Sequence, residues 1–405
     1  MKKLLALLLL PFLSAHGNPR HFDLSNRTPD DAFSASRGFG YDLGTAPTPD
    51  KQPFFFSVAV PEGNYRVTIT FGGPTAGDTT VKAESRRLML EHVLTAPGET
   101  VSRDVIVNVR TPALPPPPPN APGGTAVALN DREHGSFTWD AKLTLEFDGA
   151  PLVRRISVEP VEVPTVFLAG DSTVTDQRWE DGASWGQMLP RFLTGVAVAN
   201  HAESGETLKS FLSELRLAKI LSQLQAGDYL FIQFGHNDEK KNWPQTYVEA
   251  HTTYQAYLRV FIAEARLRGA MPVLVTSMQR RTFDAHGKIR NTHGDYTAAV
   301  RAVAAEEHVP LIDLDRLSVA FYETLGPARA HFAFGNHGRE ATHHNNYGAY
   351  ELAKCVAQGL RTADLPLAAH LAPDFTGFDP AQPDDPQSFH LPASPLHSDV
   401  RPRGN

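Results

Sequence analysis

Cysteine is nearly absent from this chain, since Cys355 is the only one among 405 residues. A single thiol excludes an intramolecular disulfide and any zinc site built from cysteine ligands. Cys355 lies in the stretch YELAKCVAQGL, which predicts a small buried residue on a helix. Apolar cores, rather than covalent or cysteine–metal links, must therefore hold the fold together.

Long blocks of one charge are also missing. The chain carries 38 Lys and Arg residues against 45 Asp and Glu residues, for a formal net charge of −7, and the basic residues form no long run. Neither nucleic acid nor an anionic membrane surface is therefore expected as a partner. Nothing in the sequence indicates an oligomeric state.

The most prominent apolar run, residues 4–13, is too short to anchor a protein in a bilayer. Lys2 and Lys3 precede it, and the small residues Ala15 and Gly17 follow. This pattern predicts a signal peptide over residues 1–17, with a buried N-terminal helix as the alternative. We expect a secreted or periplasmic protein without membrane contact after cleavage.

Residues 22–162 are predicted to form an all-β accessory domain. Short segments rich in Val, Thr and Phe alternate with turns that contain Gly, Pro and Asn, which is typical of antiparallel strands in a sandwich. The predicted strands are FFFSVAV (54–60), YRVTITF (65–71), TTVKAE (79–84), VIVNVR (105–110), TAVALN (125–130) and KLTLEF (142–147).

From residue 165 to 363 the pattern changes to alternating strands and helices, which favours a parallel sheet with helices on both faces. Predicted strands lie at 166–169, 196–199, 229–234, 272–277 and 309–314, and predicted helices at 185–194, 207–225, 247–268, 294–308 and 347–361. Residues 364–405 are rich in proline. Phe375, Phe378 and Phe389 favour a strap over the body for the first half of this segment, rather than a disordered tail.

Four polar motifs follow predicted strands or precede a helix. AGDST places Ser172 after the first strand, and NHAESGETLKSF places Gly205 at the start of a helix after the second. FGHND places Asn237 after the third strand. In REATHHNNYGA, Glu340 and His343 are three residues apart and so project to one side of a helical turn. Each motif alone also fits an ordinary turn or helix cap.

Together the motifs supply every part of a serine nucleophile site. A hydroxyl nucleophile needs a base, the base needs an orienting group, and the oxyanion needs fixed N–H donors. Ser172, His343, Glu340 and the donors at Gly205 and Asn237 fill these roles in principle. The reaction that this set predicts is acyl transfer.

The four blocks, in the order Ser, Gly, Asn, His, resemble those of the SGNH (GDSL) hydrolases. Within that superfamily, residues 165–363 are most similar to the rhamnogalacturonan acetylesterases. The resemblance implies a flavodoxin-like parallel sheet, Ser172 as nucleophile and His343 as base. It also implies an oxyanion hole formed by the N–H groups of Ser172 and Gly205 and the side chain of Asn237, and neither a cofactor nor a metal.

The sequence departs from this family at one catalytic position. The family has aspartate three residues before the histidine, and here the residue is Glu340. Glutamate serves as the third triad member in some esterases. A Ser–His–Glu triad and a Ser–His dyad therefore both stay open.

The resemblance further implies an acetylated plant polysaccharide as substrate, with pectic rhamnogalacturonan first. Basic residues on loops after strands suit this anionic polymer. Tryptophans near the site loops could stack on sugar rings, whereas Trp185 is expected in the core. The candidates are Trp179, Trp243, Lys240, Lys241, Arg280, Arg281 and Arg290. The N-terminal part resembles galactose-binding-like jelly rolls, which either bind carbohydrate or pack on the enzyme and shape its substrate site.

Three rival readings stay open. An acetylxylan esterase, another sugar acetylesterase or a lipase would use the same machinery. A carbohydrate-binding protein with a decayed active site is motivated by Glu340. A metal site could draw on the histidines at 331, 337, 343 and 344, although their spacing matches no known zinc signature.

Overall fold

Two antiparallel sheets occupy the N-terminal part of the computed structural model, which describes residues 18–25 and 31–396. The predicted signal peptide lies outside the described residues. One sheet has the strand order β1-β9-β4-β7 and the other the order β2-β3-β8-β5-β6. The strands are β1 (Arg20–Asp23), β2 (Phe39–Asp42), β3 (Phe54–Ala59), β4 (Gly63–Phe71), β5 (Gly77–Ala83), β6 (Arg87–Thr95), β7 (Val101–Val109), β8 (Lys142–Ala150) and β9 (Val153–Pro160).

The two antiparallel sheets share one apolar core. Along β4, buried residues alternate with half-buried ones, as expected for a strand with one face turned inward. Val67 and Ile69 of the first sheet belong to the same buried cluster as Phe56 and Val58 of the second. Antiparallel β structure is therefore present as predicted, while the galactose-binding-like jelly-roll class stays a prediction.

One predicted strand is wrong, and four strands of the structure were not predicted. Residues 125–130 form no strand, and only Ala126 makes an isolated bridge, to Ala113. The neighbouring prolines have no N–H to donate to a ladder, and the N–H of Ala128 donates instead to the carbonyl of Glu214. The strands that were not predicted are β1, β2, β6 and β9. In β6 the charged residues obscured the alternation.

A parallel sheet follows in the order β11-β10-β12-β13-β14. Its strands are β10 (Thr165–Gly170), β11 (Ala197–Asn200), β12 (Tyr229–Gln233), β13 (Met271–Val275) and β14 (Leu311–Ile312). In chain order this is 2-1-3-4-5, the flavodoxin-like arrangement. Alternate residues of β10 enter two different apolar clusters, with Leu168 on one face and Phe167 on the other. The predicted α/β class is thus confirmed.

Helices cover both faces of this sheet. They are α1 (Trp185–Met188), α2 (Leu208–Ser213), α3 (Arg216–Leu221), α4 (Gln255–Leu267), α5 (Tyr296–Glu306), α6 (Leu314–Arg329), α7 (Gly335–Gly338) and α8 (Asn346–Thr362). The buried Cys355 lies on α8. None of the helices within the described ranges combines the length and apolarity needed to cross a bilayer.

Several predicted helices are shorter or interrupted. The helix predicted at 185–194 is α1 followed by a 3-10 turn, Leu189–Phe192. The helix predicted at 207–225 is divided into α2 and α3 at Leu215, whose φ of 63° lies in the left-handed region. The helix predicted at 247–268 begins with a π-helical turn, Ala250–Tyr254, before α4.

The proline-rich segment after α8 lies against the α/β part as far as residue 396. Phe375 is buried, and Phe378 and Phe389 pack on the apolar cluster of one sheet face. The hydroxyl of Tyr347 donates to the carbonyl of Asp384 at 2.7 Å. These contacts tie residues 363–396 to the body as a strap.

Candidate active site

Ser172 follows β10 at the point where the strand order of the parallel sheet reverses. Crevices at the carboxyl ends of strands beside such a point are the usual ligand sites of α/β sheets. The turn that carries Ser172 needs Gly170, because a Cβ there would lie 2.6 Å from Val174 Cγ2 and 2.9 Å from the carbonyl oxygen of Gln233. Local sterics thus place the serine directly at the sheet edge.

The hydroxyl of Ser172 and the imidazole of His343 form a buried hydrogen bond. Oγ lies 2.8 Å from Nε2 although the two residues are 171 positions apart in the chain. Their relative exposures are only 4% and 6%. The neighbouring His344 anchors the loop, because its carbonyl accepts from the N–H of Ala183 and its Nε2 lies 2.6 Å from the Tyr322 hydroxyl.

Glu340 lies beside the other ring nitrogen of His343. Its Oε2 is 3.7 Å from Nδ1, which is longer than a hydrogen bond. Among the described residues, Nδ1 has no hydrogen-bond partner. Arg281 fixes the backbone here, because its guanidinium donates to the carbonyls of Gly338 and Glu340. The structure therefore places the Glu340 carboxylate beside the histidine, at a distance longer than a hydrogen bond.

Gly205 lies in a tight turn next to the site. The N–H of Glu206 donates to the carbonyl of Glu203, and Gly205 has a φ of 86°, as the third residue of a type II turn requires. The helix does not begin at Gly205 as predicted. It begins at Leu208, because Thr207 and Ser210 form a reciprocal capping box there.

The side-chain amide of Asn237 has a fixed orientation. Nδ2 donates to the carbonyl of Glu206 at 3.0 Å, and Oδ1 accepts from Nζ of Lys240 at 3.0 Å. A primary amide has two N–H donors, so the bond to Glu206 occupies only one of them. Because Glu206 follows Gly205 directly, the same bond holds the two predicted donor loops together.

Three buried titratable residues brace these loops. Burial raises the pKa of Asp171, but the charge of His236 when protonated and the hydrogen bonds from Thr173 outweigh it, so the pKa is lowered. Burial lowers the pKa of His236 to about 4, so this ring is neutral at pH 7. Burial raises the pKa of Asp238 to about 8, while its Oδ1 accepts from the N–H of Leu208.

The predicted carbohydrate-binding residues surround these loops, and most have partners within the protein. Lys240 lies over the Trp243 ring, 4.2 Å from its centroid, as well as bonding to Asn237. Arg280 pairs with Glu239 at 2.7 Å. Trp179 and Trp243 are half-buried, Arg178 stacks on Trp179, and Lys241 and Arg290 are exposed. As expected, Trp185 belongs to the core, where its Nε1 donates to Gln233.

The four histidines considered for a metal site face different partners. His343 bonds to Ser172, His344 to Tyr322, His331 packs on Phe332, and His337 is exposed near Asp181. Over residues 18–25 and 31–396, no group of three or more His, Cys, Asp or Glu side chains could hold a metal ion.

Two neighbours of the site escaped the sequence reasoning. Gln177 donates from Nε2 to the carbonyl of Ser172 at 2.7 Å, and Arg132 donates to the hydroxyl of Ser204 at 3.0 Å. Arg132 lies in a loop of the N-terminal part, NDREHGS, in which no local pattern indicates an active-site role. Their proximity arises only from tertiary structure.

A serine hydroxyl bonded to a histidine, at the switch point of a doubly wound parallel sheet and beside a turn glycine and an oriented asparagine amide, defines a serine hydrolase. Residues 168–349 match the sequence model of the GDSL-like lipase/acylhydrolase family. The chain is 42% identical over 220 residues to the rhamnogalacturonan acetylesterase RhgT of Bacillus subtilis (strain 168), a match that covers 51% of this chain and 93% of that protein.

Two further relatives come from the same organism. A probable rhamnogalacturonan acetylesterase, YesY, is 41% identical over 208 residues, which cover 50% of this chain and 94% of that protein. An uncharacterized esterase, YxiM, is 27% identical over 312 residues, which cover 76% of this chain and 74% of that protein. The chain belongs to the GDSL-like lipase/acylhydrolase family and is a carboxylic ester hydrolase.

Proposed function

We propose that this protein is a carbohydrate acetylesterase that removes O-acetyl groups from a polysaccharide, with pectic rhamnogalacturonan as the first candidate. The observation that carries the proposal is the buried hydrogen bond of 2.8 Å between Ser172 Oγ and His343 Nε2. Support for the substrate comes from the two relatives named as rhamnogalacturonan acetylesterases, at 42% and 41% identity.

Acylation begins with proton transfer from Ser172 Oγ to Nε2 of His343 as the oxygen attacks the acetyl carbonyl carbon. The carbonyl electron pair moves to oxygen, and the N–H groups of Ser172 and Gly205 and the second N–H of Asn237 Nδ2 stabilise the oxyanion. Removing one such donor costs roughly 3–4 kcal/mol of transition-state stabilisation in a known hydrolase. Collapse breaks the bond to the sugar oxygen, which takes the proton from Nε2.

Deacylation repeats these steps with water. His343 accepts a proton from the water molecule that attacks the acetyl–Ser172 ester, the same donors hold the second oxyanion, and acetate leaves as Ser172 Oγ regains its proton. The carboxylate of Glu340, 3.7 Å from Nδ1, stabilises the imidazolium that forms in both halves of the reaction.

The same proposal assigns substrate contacts to the rim of the site. Two half-buried tryptophan rings lie beside the Asn237 and Ser172 loops. Lys240 lies over the ring of Trp243, and Arg178 lies over the ring of Trp179. Lys241 and Arg290 are exposed cations, which suit an anionic polymer. Secretion also belongs to the proposal and rests on the sequence of residues 1–17 alone.

The test is acetate release from acetylated rhamnogalacturonan, acetylated xylan and p-nitrophenyl acetate by wild type and Ser172→Ala. Ser213→Ala is the matched control, because this serine is exposed on α2. We expect release from the pectic polymer by wild type and the control, and none by Ser172→Ala. Preferred release from xylan would assign the enzyme to xylan instead. No release from any ester would reject the esterase and leave a carbohydrate-binding protein.

A further inference from the structure

A loop of the N-terminal β part reaches the two loops that carry the oxyanion donors. We propose that Arg132, at the tip of this loop, is a positioning residue of the esterase, whose guanidinium sets the spacing between the Ser172 loop and the Gly205 loop. The inference rests on the proposed function. It makes the β part a component of the active site, whereas a separate binding module would leave the catalytic geometry unaffected.

On the Gly205 side, Arg132 holds the two residues that precede the glycine. One terminal nitrogen donates to Ser204 Oγ at 3.0 Å, and Nε lies 3.3 Å from Oε1 of Glu203. The same Oε1 accepts from the N–H of Ser204 at 2.7 Å. Since Ser204 directly precedes Gly205, these contacts fix the orientation of the peptide unit that carries the Gly205 N–H.

On the Ser172 side, Arg132 acts through Gln177. Its other terminal nitrogen donates to Oε1 of Gln177 at 3.4 Å, and Nε2 of that glutamine donates to the carbonyl of Ser172 at 2.7 Å. One guanidinium therefore contacts both donor loops, directly on one side and through one side chain on the other. Arginine suits this position because its donors form a rigid planar fork, whereas lysine offers a single point charge.

The Arg132 loop is itself anchored to the α/β part. Arg216 of α3 pairs with Glu133 at 2.6 Å, and both side chains are almost fully buried. The same oxygen, Glu133 Oε2, also accepts from the N–H of Asn130 at 2.9 Å, while Oε1 accepts from the other terminal nitrogen of Arg216 at 2.9 Å. Arg178 donates to the carbonyl of Arg132 at 3.1 Å. Residues of the α/β part, which carries the active site, thus fix the position of Arg132.

Buried arginines hold the rest of the β part against the esterase. Arg86 pairs with Glu180 at 2.6 Å and Arg87 with Asp176 at 3.0 Å, while Arg110 donates to the carbonyl of Asn200. Separating the two parts would leave these buried charges without their partners, which is strongly unfavourable. These contacts join the β part to the esterase part at several points.

A change in the spacing of the donors should affect the transition state more than substrate binding, because a misplacement of about 1 Å can cost about 100-fold in rate. The test uses the full chain with Arg132→Ala and Arg132→Lys, and Arg103→Ala as control, since Arg103 is an exposed arginine of the same β part. We measure kcat and KM with p-nitrophenyl acetate, the inhibition constant of phenylboronic acid, which forms a tetrahedral adduct on serine, and the thermal unfolding midpoint.

We expect both Arg132 variants to lose roughly 10- to 100-fold in kcat, with KM changed less than about twofold and phenylboronic acid binding weakened in parallel. Arg103→Ala should match wild type. Ser204→Ala should lose less, and adding it to Arg132→Ala should cost less than the product of the two losses, because both remove the same contact. If Arg132→Ala does not fold, Arg132→Lys, which keeps the charge and most of the stem, carries the test.

Unchanged kcat and boronate affinity in the variants would overturn the inference, and so would a rise in KM alone, which would make Arg132 a substrate-binding residue. Recovery of wild-type kcat in Arg132→Lys would also overturn it, because charge alone would then suffice. The proposed function is judged separately. It stands if wild type hydrolyses the ester and Ser172→Ala does not, and it fails if wild type has no activity.

Discussion

The carboxylate of Glu340 lies 3.7 Å from Nδ1 of His343, whereas Nε2 of the same ring is 2.8 Å from Ser172 Oγ. His343 therefore forms a hydrogen bond with Ser172 but only a longer electrostatic contact with Glu340. A triad aspartate that is hydrogen-bonded to histidine fixes the tautomer, and its replacement by asparagine costs about 10⁴-fold in kcat in a known protease. Glu340 can stabilise the imidazolium by its charge, which is a smaller effect.

Glu340→Gln should therefore lower kcat by roughly 10- to 100-fold and leave KM nearly unchanged, because the variant removes a charge but no hydrogen bond to the ring. Glu340→Asp should not raise activity, since the shorter side chain withdraws the carboxylate from Nδ1. Steady-state kinetics with p-nitrophenyl acetate measure both variants. A loss near 10⁴-fold in Glu340→Gln would show that a hydrogen bond forms in the working enzyme, and no loss would show a Ser–His dyad.

Asn237 gives a second prediction, because its amide is held at both ends. Asn237→Ala should lower kcat by about 10²- to 10³-fold, the usual effect of losing one oxyanion donor. Lys240→Met should lower it by a smaller factor, roughly 3- to 10-fold, since the amide keeps its bond to Glu206 and loses only the one at Oδ1.

The exposed Asn242 is the matched control, and Asn242→Ala should retain wild-type kcat. If Asn237→Ala kept more than half of the wild-type kcat, the side chain would not be an oxyanion donor. Circular dichroism should be recorded for each variant, because Asn237 also joins two loops and its loss must not be confused with unfolding.

The parallel sheet could be predicted because its strands are buried on both faces and so appear as continuous apolar runs, as at 166–169 and 229–234. The site could be predicted because polar motifs follow these runs, and parallel strands bring their carboxyl ends to one edge. Helix ends were less predictable. The break at Leu215 depends on a left-handed backbone conformation that its residue type does not favour.

The residues that were missed are those whose position depends on distant parts of the chain. Helix α6 was not predicted, and it is kinked at Gly326, whose φ of 70° and ψ of 170° are not helical, directly before Pro327. Arg132 contacts Ser204 across 72 positions, from a segment that the sequence assigns to another domain. No local periodicity or motif encodes such a contact, so the role of the β part in the site became visible only in three dimensions.

The buried pair between Glu133 and Arg216 yields a prediction on stability. Burial raises the pKa of Glu133, but the hydrogen bond and charge of Arg216 outweigh it, so the pKa is lowered and the carboxylate stays ionised. Glu133→Ala leaves the buried guanidinium without this partner, which should destabilise the protein by about 3–5 kcal/mol. Urea unfolding followed by tryptophan fluorescence measures the loss.

Glu159→Ala is the control for this prediction, because Glu159 pairs with Arg66 at the surface, at 3.0 Å. Exposed pairs contribute about 0–1 kcal/mol, so this variant should unfold close to wild type. Equal, small effects of both substitutions would mean that the interface between the β part and the α/β part adapts to the loss of Glu133.

The two buried histidines His236 and His344 predict how stability depends on pH. Burial lowers the pKa of His344 to about 3 and that of His236 to about 4, against about 6.5 for an exposed imidazole. At a pH between the lowered pKa of each ring and about 6.5, the unfolded chain binds a proton that the folded protein does not. Each ring therefore contributes stability that is present above pH 6.5 and is lost as the pH falls toward 4.

Buried carboxyls act in the opposite direction, since burial raises the pKa of Asp238 and Glu84 to about 8. The histidine effect is therefore measured as a difference between wild type and His344→Gln, whose amide can still accept from the Tyr322 hydroxyl. We expect wild type to lose stability relative to His344→Gln by up to about 1.4 kcal/mol per pH unit between pH 6.5 and 4. His251→Gln, which replaces an exposed histidine, is the control substitution. A constant difference between wild type and His344→Gln would mean that the buried ring binds its proton as readily as an exposed one.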